Sequence, residues 1–127
     1  MFSLKGKKAI VTGGGSGIGQ AIATILAKQG AEVHIVELGL EQASATLEKI
    51  KTENGIAFSY ACDVANHSAV TETFNKIGKI DILINNAGIG PDLDFELPEA
   101  ISFKKTFDVN VTGTSFFTEQ MLRYLNV

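Results

Sequence analysis

Thr12-Gly-Gly-Gly-Ser-Gly-Ile-Gly19 is the stretch that decides the fold. It follows a short apolar run, Lys8-Ala-Ile-Val-Thr12, and leads into a helix-like stretch from Gly17 to Gln29 that closes with Gly30 at a C′ position. A strand, a glycine-rich turn and a helix in that order form a phosphate-binding element. Glycines lack the Cβ that would keep amide N–H groups away from an anion, and a helix beginning near Gly17 adds free N–H groups and the positive end of its dipole. Gly19 would let that helix lie close on the strand. The spacing does not satisfy GxGxxG, because the sixth residue from Gly13 is Ile18 and from Gly15 is Gln20; it satisfies TGxxxGxG. A turn of this composition can also be no more than a tight turn, so the surroundings must decide.

Outward from the turn, apolar runs alternate with helical stretches. Glu32 to Glu37, Ala57 to Cys62 and Ile80 to Asn85 suit strands covered on both faces. Leu40 to Lys51, ahead of Asn54-Gly55, and Ser68 to Ile77, ahead of Gly78, suit helices. Strict βαβα alternation implies right-handed crossovers and a doubly wound α/β fold with a parallel sheet. After a loop holding Pro91 and Pro98, a last helical region opens at Pro98-Glu99. There Phe103, Phe107, Asn110, Thr114, Phe117 and Met121 recur at three or four residues, which predicts a buried stripe that includes Asn110.

Ligands of such sheets bind at the carboxyl ends of the strands. Glu37 ends the second strand, Cys62-Asp63-Val64 the third and Asn85-Asn-Ala-Gly88 the fourth. An acid at Glu37 is spaced to accept hydrogen bonds from the ribose hydroxyls of an adenosine, and it would repel a 2′-phosphate. Neither Leu38 nor Ser16 offers a positive charge to offset that repulsion, so NAD is favoured over NADP.

The set TGxxxGIG, Glu37, Asp63-Val64, Asn85-Asn-Ala-Gly88 and Asp108-Val-Asn-Val-Thr112, in this order, resembles the short-chain dehydrogenase/reductase family over essentially the whole chain. The resemblance implies a Rossmann-type sheet of strand order 3-2-1-4, incomplete because the chain is similar to the N-terminal, cofactor-binding half of family members. It implies a nicotinamide dinucleotide whose pyrophosphate and flanking ribose meet Gly13, Ser16, Gly17, Ile18 and Gly19. Glu37 and Leu38 would face the adenosine ribose, and Asp63 and Val64 the adenine. Asn86, Ala87 and Gly88 would line the cofactor, with Asn85 bracing the sheet. Asn110 resembles the family's catalytic asparagine, which supports a water in a proton relay.

The family's catalytic tyrosine, its lysine four residues on and its serine cannot be assigned. Tyr60 is followed four residues later by Val64, and Tyr124 would need a residue 128. The expectation is therefore the NAD(H)-binding portion of an oxidoreductase acting on an alcohol or carbonyl substrate, inactive on its own. The alternative is a non-catalytic nucleotide-binding or assembly module. A methyltransferase is disfavoured by Thr12 ahead of the glycines and by NNAG, and a P-loop nucleotidase by the lack of Gly-Lys-Ser/Thr after them.

Composition narrows the rest. With 127 residues, 45% of them hydrophobic, and no linker, residues 1–127 are expected to form one domain. A single cysteine excludes an internal disulfide, and no cysteine or histidine stands at metal-ligand spacing, so no metal is expected and a cytoplasmic location is. A net charge of −3 without a long basic run argues against nucleic acid, and no apolar stretch is long enough for a bilayer. A fourth strand left at an edge, and a last helix short of packing partners, suggest a homo-oligomer.

Overall fold

The computed structural model describes residues 3–88, 104 and 106–125. Four parallel strands, β1 (Lys8–Thr12), β2 (Glu32–Glu37), β3 (Ile56–Ala61) and β4 (Ile82–Ile84), pair in the order β3-β2-β1-β4. The doubly wound α/β fold is as the alternation predicts, and the 3-2-1-4 order is as the resemblance implies. Register runs from Lys8 opposite Glu32 to Thr12 opposite Val36, and from Glu32 opposite Ile56 to Glu37 opposite Ala61. All four strands thus point their carboxyl ends to one edge.

Helices α1 (Gly17–Lys28), α2 (Leu40–Thr52), α3 (His67–Ile77) and α4 (Thr114–Tyr124) cover the sheet. The buried residues of α1 are Gly19, Ala23, Thr24 and Ala27, small residues that let the helix approach the strands closely, with Ile22 and Leu26 packed beside them. With Ala43 and Ile50 of α2 they enclose Val11, Val33, Ile35 and Ala57 on one side. On the other side Val70, Phe74 and Ile77 of α3 and Phe117 of α4 close over Ile10, Val36 and Ile80. Asn66 caps α3 by accepting from the Ala69 amide at 3.1 Å, and Gly78, at φ 80°, ends it.

Several expectations are corrected. Strand β3 starts and ends one residue earlier than its apolar run. The fourth strand shrinks to three residues, because the Asp81 carboxylate accepts from the Lys8 amide at 2.9 Å and does the work of a main-chain partner there. Ile80 is not left open: it forms a parallel bridge with Leu125, and its amide donates to the Tyr124 carbonyl at 2.9 Å. Phe117 does not lack partners either, since it is fully buried with its ring 4.8 Å from that of Phe74. The start of the last helical region at Pro98-Glu99, and Phe103, lie outside the described residues.

Residues Asp108–Gly113 form a π-helical segment that runs directly into α4. Its wider turn moves the side chains off the spacing of an α-helix. As a result Phe107 is 48% exposed, and Asn110, predicted to be buried, is exposed as well.

A histidine sits in the interior. His34 of β2 is 3% exposed, with Nδ1 2.8 Å from the Tyr60 hydroxyl and Nε2 3.1 Å from a carboxylate oxygen of Glu32. Burial, more than any charge, holds its pKa below the ordinary histidine value; Lys8 pushes the same way and Glu32 against it. The unfolded ring takes up a proton near pH ~6.5 and the folded ring resists it. Stability present above that pH is therefore lost as the pH falls. Thermal melts should show a lower Tm at pH 5.5 than at 7.5, and His34→Gln should reduce that difference; an unchanged difference would deny His34 the role.

Candidate functional site

The carboxyl edge of the sheet holds a cavity of about 230 Å³. Gly13, Ser16, Glu37, Leu38, Asp63, Val64, Asn86, Ala87 and Gly88, all singled out in the sequence, line it together. Val36, Cys62 and Val109 complete the lining. Gly17, Ile18, Gly19 and Asn110 are not part of it. Val109 was legible only as a member of the Asp108 to Thr112 motif, and Val36 as part of an apolar strand.

The glycine-rich turn is shaped by contacts no side chain would allow. Gly13 has φ 65°, and a Cβ on Gly19 would lie 2.1 Å from the Gly13 carbonyl oxygen and 2.5 Å from Nδ2 of Asn86. Gly19 thus sets helix α1 on the turn itself, not on the strand as the spacing suggested. Gly17, at φ 54°, has nothing within 4 Å of the place its Cβ would take. Ser16 provides no side-chain cap to α1, and the first turn of α1 contains no acid. The start of this helix thus has neither a side-chain cap nor an anion in its own first turn.

Around the turn, the Thr12 hydroxyl accepts from the Asn86 and Ala87 amides at 3.0 and 2.9 Å. Asn86 in turn donates its side-chain amide to the Gly13 carbonyl at 3.1 Å. The bracing expected of Asn85 is done by Asn86. Asn85 is exposed and donates to the Thr118 hydroxyl of α4 at 2.8 Å.

Glu37 accepts from the Gly15 amide at 2.8 Å, so the acid at the end of β2 is already tied to the glycine-rich turn. Asp63 is exposed and uses one oxygen to accept from the Ala65 amide at 2.9 Å. Cys62 is 5% exposed; burial raises its thiol pKa, Asp63 adds to the rise, and a hydrogen bond with Thr73 opposes it. Such a thiol is a poor nucleophile at neutral pH. Asn110 stands outside the lining, with its side-chain oxygen 3.4 Å from where a Cβ of Gly88 would be. Gly113 allows the π-helical segment to lie against Val64, whose carbonyl is 2.9 Å from the Cβ position there.

A family model described as short chain dehydrogenase matches residues 7–126. Among curated relatives, the 7alpha-hydroxysteroid dehydrogenase of Escherichia coli K12 is 39% identical over 118 residues, which cover 90% of this chain and 45% of that protein. A crystal structure from Agrobacterium tumefaciens with bound NADP superposes with a TM-score of 0.83 at 36% identity, covering 97% of this chain and 49% of that one. An NAD+-bound xylitol dehydrogenase superposes with a TM-score of 0.83 at 31% identity, covering 94% and 48%. The chain spans about half the length of the curated relatives it matches.

Two glycines of the turn, one crowded and one open, can be told apart by substitution. Gly19→Ala drives a methyl into backbone and should cost about 3 kcal/mol, at the upper end of overpacking penalties. Gly17→Ala meets no atom and should cost only the strain of a left-handed backbone, about 1 kcal/mol. Denaturant melts giving equal losses would contradict the close approach at Gly19.

Proposed function

The chain belongs to the short chain dehydrogenase family, and from that premise we propose that its 127 residues are a single domain forming the NAD(H)-binding portion of an oxidoreductase that interconverts an alcohol and a ketone or aldehyde. The observation that carries this is the meeting at one cavity of Glu37 and Ser16, the residue that opens onto the uncapped start of α1, with the neutral Leu38 beside the acid. A dinucleotide presents ribose hydroxyls to the first and a pyrophosphate to the second.

The residues present fit such a ligand. The open space over Gly17 leaves room for a pyrophosphate at the amides of Ser16, Gly17, Ile18 and Gly19, with Gly13 turning the chain beneath. Glu37 and Leu38 would receive the adenosine ribose, and Asp63 and Val64 the adenine. Asn86, Ala87 and Gly88 would line the path toward the nicotinamide, and Asn110, exposed beside Gly88, would hold a water. When bound, the nicotinamide exchanges a hydride with the substrate's carbinol carbon. A 2′-phosphate would meet the Glu37 carboxylate with no cation at Leu38 to offset it, which favours NAD. A cytoplasmic, homo-oligomeric enzyme with a small alcohol or carbonyl substrate completes the proposal.

A second reading, a binding module without catalysis, is favoured by one observation. The Tyr124 hydroxyl is given to Asn75 of α3.

Calorimetry should show tighter binding of NADH than of NADPH to the chain, and Glu37→Ala with Leu38→Arg should reverse the order by removing a repulsion and adding a phosphate partner. Tighter NADPH binding by the unmodified chain would overturn the assignment. The chain alone should show no NADH production from secondary alcohols, because no positioned acid or base handles the proton and such catalysis contributes roughly 10²–10⁴-fold. Turnover that survives Asn110→Ala and Tyr124→Phe would place the chemistry elsewhere.

A further inference from the structure

The peptide unit between Gly14 and Gly15 is held at both ends. Its carbonyl, on Gly14, accepts from the Thr46 hydroxyl at 2.9 Å. Its N–H, on Gly15, donates to Glu37 at 2.8 Å. A trans peptide directs these two groups in opposite directions, so helix α2 grips one side of the unit and strand β2 the other. Thr46 is fully buried, and its hydroxyl is engaged on both sides, since it also accepts from the side-chain amide of Gln20 on α1 at 3.0 Å. The α2 backbone also packs here, since a Cβ on Gly15 would lie 2.0 Å from the Gln42 carbonyl oxygen, but the peptide lies between two glycines, where the backbone turns most freely, and the Thr46 bond fixes its plane.

On the proposed dinucleotide reading, we infer that Thr46 is a positioning residue for cofactor discrimination: by fixing the Gly14–Gly15 peptide it aims the Gly15 amide at Glu37 and so sets the orientation of the carboxylate that meets the ribose. Without the hydroxyl the Gly14 carbonyl, in a buried stretch, loses its partner and the peptide plane is held by packing alone. Glu37 then loses the donor that holds it. The carboxylate becomes a poorer acceptor for a ribose hydroxyl and a less directed repellent of a 2′-phosphate, so the ratio of the two affinities changes and not only their size.

The test compares the unmodified chain with Thr46→Val, which keeps the shape, and Thr46→Ser, which returns the hydroxyl. Two quantities are read: exchange of the Gly15 amide proton without ligand, and the affinities for NADH and NADPH. Thr46→Val should speed Gly15 exchange and weaken NADH binding about threefold to tenfold, the worth of one hydrogen bond. NADPH binding should change less, so the preference narrows, and Thr46→Ser should restore both readouts. If Thr46→Val does not fold, Thr46→Ala removes the same hydroxyl with less bulk and carries the comparison. A lower Tm with an unchanged NADH-to-NADPH ratio would leave Thr46 a purely structural residue and overturn the inference, as would unchanged Gly15 exchange. Failure of the unmodified chain to bind NADH would overturn the dinucleotide reading, and the inference with it.

Discussion

The hydroxyl of Thr12 is filled to capacity, and the edge of the sheet is organised around it. It accepts from two successive amides, those of Asn86 and Ala87, and donates to the Ile84 carbonyl at 3.4 Å. A hydroxyl has one proton and two lone pairs, so no further partner is possible. These bonds extend the β1 to β4 pairing past the last ladder pair, Val11 with Ile84, into the chain after β4, which is no longer a strand. They hold the chain after β4 against the glycine-rich turn, and Asn86 can then brace the Gly13 carbonyl. Valine in place of Thr12 would keep the strand and lose this junction.

On the proposed dinucleotide reading, Glu37 shows why an acid that meets the ribose cannot be treated as a free charge. Its carboxylate already accepts from Gly15, so a ligand hydroxyl adds to or exchanges with an existing hydrogen bond. The net gain is the difference between two bonds, a quantity on the order of 1 kcal/mol. Repulsion of a phosphate has no such offset. Discrimination by this acid therefore comes more from excluding the wrong ligand than from holding the right one.

Much of this was written plainly in the sequence. Strands β1 and β2 are continuous apolar runs ended by glycine or by a charged residue, and their limits coincide with Lys8–Thr12 and Glu32–Glu37. Nine of the residues drawn from the motifs share one cavity because every motif sits at a strand end, and parallel strands place those ends together. The misses have definite causes. A period of 3.6 places Asn110 on the stripe of Phe117, but the π-helical segment breaks that period before α4 begins, so Phe117 is buried and Asn110 is not. The Glu32 and His34 pair was overlooked for a simpler reason. A spacing of two places both residues on one face of a strand, and a search for metal ligands does not look for it. The Thr46 contact has no local signal at all, since it joins residues 32 positions apart through the tertiary fold.

The two sides of the sheet also differ in how far the chain must travel to build them. The buried residues of the layer packed by α1 and α2 all lie between Val11 and Ala57. Those of the other layer run from Ile10 to Phe117. Closing a longer loop costs more entropy before any contact rewards it. The order of assembly is thus weighted toward the first layer: the turn, α1 and α2 can come together while α4 is still unattached. The glycine-rich turn and Glu37 belong to that early unit, whereas the Asn86 brace and the wall around Val109 wait for the later one.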